Sequence, residues 1–265
     1  MPPDYSSMWA KLAHSEELLL GLDTEVQTWM NTAPYGFLTK IHEDKTGVSI
    51  IAKVKGDSAP LVRWSLILSD IFHNLRCVLD HMTWAIAVYE RPGLYPLKNK
   101  RLQFPIWCDP PTANDRKRIE ILSDSVRTAI DLVQPYRSLS DPVFPKHLLC
   151  ILSWLDNTNK HNLLKMAESC VGAGDVRITW KGTGNPPKRT IHTGEVKDGT
   201  ELLRFTFDAP QVDVKCEVGS LRGIVAIVYP ETTARGTDRD DYAALTDSII
   251  EKIKCVISVV AAAVV

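Results

Sequence analysis

The 265-residue sequence lacks long apolar runs, closely spaced cysteine pairs and an excess of either charge. The apolar segment at residues 256–265 covers only about ten positions, whereas a membrane-spanning helix needs roughly 20. We therefore expect that segment to form a packing helix and expect no membrane partner. The formal net charge of −1 creates no global field that would attract nucleic acid, so any such binding must come from a local patch.

The six cysteines are scattered, and none has the spacing of a zinc site or of a thioredoxin-like redox motif. This usage is typical of proteins kept reduced inside the cell. The first residues also lack the basic and apolar segments of a secretory signal. We therefore expect a cytoplasmic protein with no cofactor.

Two kinds of periodicity alternate along the chain. Steps of three and four between apolar residues predict helices at about residues 6–30, 60–90, 112–132, 145–169 and 238–265. Alternating runs predict a β-hairpin at about 37–55 and several short strands between 176 and 228. The sequence thus predicts an α+β fold: a helical bundle with an inserted N-terminal β-hairpin, followed by an antiparallel sheet and a C-terminal helix.

The pattern changes from mainly helical to mainly extended near residue 172. We therefore expect residues 1–171 to form the helical bundle, with its hairpin at about 37–55. Residues 172–265 are expected to form the antiparallel β segment and the C-terminal helix. Because no flexible linker separates the two parts, we expect them to pack as one unit.

Two polar stripes interrupt the apolar pattern of the second and fourth predicted helices. The members of these stripes singled out as site candidates are His73, Asn74, Arg76, Asp80, His81 and Trp84 on the first, and Asp156, Asn157, Lys160 and His161 on the second. Arg76 can pair with Asp80, and Asp156 with Lys160, because each pair is spaced i and i+4. Burying one charged stripe alone is costly, so we expect the stripes to face each other or to enclose a ligand.

Such a cluster permits phosphodiester cleavage without a metal ion. One imidazole would remove a proton, a second would donate one, two cations would hold the phosphate, and two carboxylates would orient these groups. The six candidate catalytic residues are His81 and His161, Arg76 and Lys160, and Asp80 and Asp156.

Four other residues of the stripes are candidates for contacting the substrate: His73, Asn74, Asn157 and Trp84. Their imidazole, amide and indole groups can donate hydrogen bonds, and the amides and a neutral imidazole can also accept them. The indole ring of Trp84, or the phenol ring of Tyr136, could also stack on a base. The pattern therefore favours RNA or a nucleotide as the ligand.

Arg76 and His81 form an Arg-x-x-x-x-His motif on an amphipathic helix, and this motif resembles that of the HEPN superfamily (higher eukaryotes and prokaryotes nucleotide-binding domains). The resemblance implies a helical bundle, metal-independent ribonuclease activity and a homodimer with a composite cleft. It assigns roles to Arg76 and His81 alone. The Leu-Arg-x-x-Leu-Asp-His element and the Asn-Lys-His element at residues 159–161 are also similar to elements of uncharacterised bacterial proteins.

Two other hypotheses remain open. In the first, the chain is a noncatalytic interaction protein whose polar stripes form a structural network that fixes the helix register. In the second, it is a metal-dependent hydrolase in a helical bundle. The ligands would then come from Asp70, His73, Asp80, His81, Asp156 and His161. Neither stripe contains a Glu-x-x-His pair, so the sequence favours the metal-free hypothesis.

Overall fold

The computed structural model describes residues 2–94, 102–137, 147–160, 162–164, 166–173, 176–181, 184–192, 196–218, 221–228 and 239–264. The fold is mixed α+β, with an N-terminal β-hairpin, antiparallel strands and a C-terminal helix, as the sequence predicts. Among these residues, no helix is both long enough and apolar enough to cross a membrane.

The described residues form six α-helices. They are α1 (Ser6–Asn31), α2 (Leu61–Glu90), α3 (Ala113–Arg116), α4 (Asp124–Leu132), α5 (Leu148–Asn159) and α6 (Tyr242–Ala261). Short 3-10 turns lie at Pro92–Leu94, Lys117–Ile119 and Pro135–Arg137.

The same part of the chain forms nine strands. They are β1 (Tyr35–Ile41), β2 (Gly47–Val54), β3 (Met166–Ala173), β4 (Val176–Lys181), β5 (Lys188–Ile191), β6 (Glu201–Thr206), β7 (Val212–Val218), β8 (Leu221–Val228) and β9 (Arg239–Asp241). One sheet has the order β1-β2-β6-β5. In addition, β3 pairs with β8 and β4 pairs with β7, and all of these pairings are antiparallel.

The elements group into a helical unit and a strand unit. The helical unit contains residues 1–23, 62–165 and 228–265, and the strand unit contains residues 24–61 and 166–227. This grouping differs from the sequential boundary predicted near residue 172. The reason is that β2 of the hairpin pairs with β6, about 150 residues later, while α6 returns to the helices. The hairpin pattern does not reveal its later partner.

The core of the helical unit is centred on α2. Trp64, Leu68, Ile71, Phe72 and Leu75 are completely buried, and the steps of three and four that predict this face account for four of them. The C-terminal helix α6 packs against both α4 and α5 and so closes the core on another side.

The strand unit has its own small apolar core. Ile50 on β2 lies opposite Leu203 on β6, and both side chains are completely buried together with most of Phe205. The partly buried Val176 and Ile178 of β4 pack against this cluster. The alternation of inward and outward residues therefore continues across strands that are distant in sequence.

Two helix predictions are wrong in extent. The helix predicted at residues 145–169 ends at Asn159, and Met166–Ala173 forms β3, whose Met166 lies opposite Ile227 of β8. Strand pairing therefore overrides the helical spacing of the last apolar residues. The helix predicted at residues 112–132 is broken in the middle, where Ser123 begins α4 and donates its backbone N–H and hydroxyl to Glu90.

The start of α5 carries a pH-sensitive cap. His147 accepts a hydrogen bond through Nδ1 from the backbone N–H of Leu149, at 3.2 Å, which requires the neutral imidazole. Burial, with a smaller contribution from Lys252, lowers the pKa of His147 to about 4. Because the unfolded chain binds this proton near its ordinary pKa of about 6.5, the stabilisation is complete above that pH and is lost as the pH falls toward 4.

We predict that His147→Asn makes the free energy of unfolding less dependent on pH between about 6.5 and 4. Asparagine keeps a side-chain acceptor for the cap but does not titrate. Urea titrations should show that the unchanged protein loses about 1–2 kcal/mol more than the variant over this range, a value reduced for partial solvent exposure. His14→Asn, at an exposed position of α1, serves as the control. Equal slopes for the unchanged protein and His147→Asn would contradict the prediction.

Candidate functional site

A buried carboxylate joins α2 to α5. Asp156 on α5 has a side chain that is only 3% exposed, and its Oδ1 lies 2.9 Å from Nδ1 of His73 on α2. Its Oδ2 lies 2.6 Å from Nζ of Lys160, one turn further along the chain. The predicted pairing of Asp156 with Lys160 is confirmed. The two positively charged or chargeable partners are about half exposed, so the carboxylate is buried beneath them.

The second predicted pair is also confirmed. Nη1 of Arg76 lies 3.0 Å from Oδ1 of Asp80, and both side chains are mostly buried. Arg76 also donates through Nη2 to the carbonyl oxygen of Phe104 at 2.7 Å, and Asp80 accepts from the backbone N–H of Phe104 at 2.9 Å. Burial raises the pKa of Asp80, while Arg76 opposes that shift. This pair therefore holds residue 104 and its neighbours against α2.

Cys77 completes a row of contacts along α2. Its Sγ lies 3.6 Å from Nε2 of His73, whose other nitrogen contacts Asp156. Burial, followed by the nearby Asp80, raises the pKa of Cys77, so its thiol keeps its proton at neutral pH. The thiol of Cys77 thus contacts the imidazole of His73, which in turn contacts the carboxylate of Asp156.

These groups line an open cavity of about 860 Å³ within the helical unit. Its walls are α2, α5 and the proline-rich segment 103–112, with Asp115 and Arg118 at the side. The volume lies in the range of small-molecule sites. Part of the first stripe therefore faces the second across a cavity, as expected from the sequence, and the rest of the first stripe does not.

A disulfide bond fixes one wall of this cavity. Cys108 in the proline-rich segment is bonded to Cys150 on α5, 42 residues later. In the chain-entropy model, a cross-link that closes a loop of that length adds roughly 4 kcal/mol to the free energy of unfolding. The sequence spacing led us to expect reduced cysteines, and the bond corrects that expectation for these two residues. Their positions come together only through the packing of the segment on α5.

The other residues predicted to contact the substrate lie in different places. Asn157 is exposed and lines the cavity. Asn74 is almost completely buried and accepts a hydrogen bond from Nζ of Lys11 at 2.7 Å, so its amide serves the contact with α1. Tyr136 donates to Asp131 at 2.5 Å and belongs to a separate polar cluster.

The structure separates the two residues of the Arg-x-x-x-x-His motif. His81 and Trp84 line a second cavity, of about 550 Å³, together with Pro3, Val88 and Tyr89. Arg76 lines the first cavity and not the second. Five helical residues rotate the chain by about 500°, which leaves the two side chains roughly 140° apart around the axis.

His161 lies outside the described residues, so its predicted role stays a prediction. Within the described part of the chain, no group of three or more His, Cys, Asp or Glu side chains is arranged to hold a metal ion. Among the residues proposed as ligands for a metal-dependent hydrolase, Asp80 and Asp156 are instead engaged by Arg76 and Lys160.

Two parts of the first cavity were not among the site residues predicted from the sequence. One is Cys77, which lies four residues after His73, a spacing that brings the two side chains together on a helix. The other is the wall formed by residues 103–112, for which the prolines signal only an irregular loop. The i,i+4 relation was available in the sequence, whereas the position of the wall was not.

Comparisons with protein-family models, curated proteins and solved structures found no match. The assignment of function therefore depends on the contacts described above. Both groups line the cavity; the cations around Asp156 are about half exposed, whereas Arg76 and Asp80 are mostly buried against Phe104.

We predict that Arg76→Met mainly destabilises the fold. Removing the guanidinium leaves Asp80 and the carbonyl oxygen of Phe104 without this partner, which should cost about 2–3 kcal/mol because both side chains retain some exposure. Arg118→Met removes another arginine that lines the cavity but is 66% exposed, and should change stability by less than about 0.5 kcal/mol. Chemical denaturation of both variants tests the difference, and equal stabilities would show that Arg76 is not the structural link described.

Proposed function

We propose that this protein is a metal-independent endoribonuclease that acts at the cavity between α2 and α5. The observation that carries the proposal is the carboxylate of Asp156, which contacts the imidazole of His73 and the ammonium of Lys160 at the cavity wall. An oriented base beside a fixed cation suits attack of a 2′-hydroxyl on the adjacent phosphate.

His73 is the proposed general base. A hydrogen bond from Nδ1–H to Asp156 fixes the tautomer in which Nε2 carries the lone pair. Nε2 can then accept the proton of the 2′-hydroxyl as its oxygen bonds to phosphorus and the bond to the 5′-oxygen breaks. Because Sγ of Cys77 lies 3.6 Å from the same nitrogen, a substrate hydroxyl would replace the thiol as the partner of Nε2.

Lys160 and Arg118 are the proposed phosphate contacts. Their side chains are 49% and 66% exposed, whereas the carboxylates of their partners Asp156 and Asp115 are 3% and 33% exposed. The cations are thus the more accessible members of each pair. These two cations can contact a phosphate, although four aspartates, Asp80, Asp109, Asp115 and Asp156, also line the cavity.

The sequence-based roles change in one respect under this proposal. The imidazole beside Asp156 is His73, whereas the HEPN-like motif assigned the chemistry to Arg76 and His81. The predicted second proton carrier is His161, which directly follows Lys160 in the sequence. A homodimer, as the resemblance implies, would give His81 and Trp84 a separate role at a subunit contact.

The noncatalytic alternative has its own support. Arg76, Asp80 and Phe104 contact one another through an ion pair and two hydrogen bonds, as expected of a structural network. In the strand unit, β1 lies at the edge of its sheet and exposes Leu38 and Ile41 by 55% and 45%. An exposed apolar edge is a common feature of interaction surfaces.

We predict that the purified protein cleaves single-stranded RNA in the presence of a chelator. His73→Ala should lower the rate by at least about 100-fold, because it removes the general base. Lys160→Ala should lower it through loss of phosphate stabilisation, and Asp156→Asn through loss of imidazole orientation. RNA with 2′-deoxy substitution at the cleaved position should be resistant, since the attacking hydroxyl is missing.

His14→Ala is the matched control, because this histidine lies on the exposed side of α1 with an ion-pair contact to Glu17. It should retain full activity, and circular dichroism should show that every variant is folded. Loss of cleavage on chelation would favour the metal-dependent hydrolase. Absence of cleavage for every RNA tested, with an intact fold, would favour the noncatalytic alternative.

A further inference from the structure

We infer that Cys77 is a covalent modification site that accepts small disulfides from the cavity, with His73 as its base and Asp156 as the orienting carboxylate. The geometry is a chain of contacts: Sγ of Cys77 to Nε2 of His73 at 3.6 Å, then Nδ1 of His73 to Oδ1 of Asp156 at 2.9 Å. A nucleophile, a base in reach of it and a group that orients the base form the arrangement that activates a cysteine.

Cys77 can be reached by a ligand. Its side chain is partly exposed, it lines the cavity of about 860 Å³, and this volume is ample for a peptide-sized thiol. Two other free cysteines, Cys216 and Cys255, line neither of the cavities described above.

The role of the base follows from the state of the thiol. Burial, then Asp80, raises the pKa of Cys77, so the sulfur needs a proton acceptor before it can attack. At neutral pH a raised pKa lowers the thiolate fraction by more than it raises the nucleophilicity of each thiolate, so a rate advantage must come from proton transfer to His73. Reactivity of Cys77 should therefore depend on His73 to a degree that an ordinary surface thiol does not share.

Disulfide exchange suits this position better than acyl transfer. Cys77 lies in the middle of α2, where backbone N–H groups are engaged in the hydrogen bonds of the helix, so they provide no oxyanion site. In disulfide exchange, His73 takes the thiol proton and the Cys77 sulfur attacks one sulfur of the disulfide. A new S–S bond forms, the old one breaks, and the departing thiolate takes the proton from the imidazolium.

The test is the rate at which oxidised glutathione modifies each cysteine, followed by mass spectrometry of peptides. At neutral pH, we expect Cys77 in the folded protein to react about 10-fold or more faster than the exposed Cys255. In denatured protein the two rates should be similar. Cys77→Ser identifies the adduct by its loss.

His73→Gln should reduce the rate at Cys77 to that of Cys255 or below, and Asp156→Asn should reduce it by a smaller factor. Each variant is first checked for native secondary structure. If His73→Gln fails to fold, the ratio of the rates at Cys77 and Cys255 in native and in denatured protein still tests the inference. No advantage of Cys77 in the native state, or an advantage that persists in folded His73→Gln, would overturn the inference. The assay contains no RNA, so its result is separate from that of the cleavage experiment.

Discussion

The contact between Asp156 and His73 is the constraint on which the candidate site depends. It joins residues 83 positions apart and fixes how α2 faces α5. A carboxylate that is 97% buried loses most of its hydration, and only close partners on both oxygens offset that cost. Lys160 supplies the second partner. The position of the imidazole, the ammonium and the cavity wall between them therefore follows from one buried charge.

The two ion pairs of the site differ in which partner water can reach. Around Asp156 the nitrogen-bearing side chains are about half exposed, so they can exchange an internal contact for one with a ligand. In the pair of Arg76 with Asp80, both members are mostly buried and bound to residue 104. Arg76 also lines the cavity, but its Nη2 is committed to the carbonyl oxygen of Phe104. The two pairs therefore differ in exposure to water rather than in the types of residue that form them.

Much of the fold could be predicted because its signals are local. The apolar steps of α2 and the turn between β1 and β2 depend on nearby residues, and both elements were predicted close to their observed positions. The segment 160–173 could not be assigned in this way. Met166 has the spacing of a helix, but its backbone pairs with β8, about 60 residues later. Local periodicity carries no information about such a partner.

In the candidate site, too, only the contacts between residues close in sequence could be predicted. The pairs Arg76 with Asp80 and Asp156 with Lys160 could be predicted because an i,i+4 spacing fixes them on any helix. The choice of His73 as the partner of Asp156 depends on the approach of two helices, which the sequence does not encode locally. A short motif such as Arg-x-x-x-x-His shares the difficulty, since its two side chains point about 140° apart. The two side chains could act on one substrate only if another element or subunit brought them together. The contact of His73 with Asp156 needs no such addition, so it is the better basis for a proposal about chemistry.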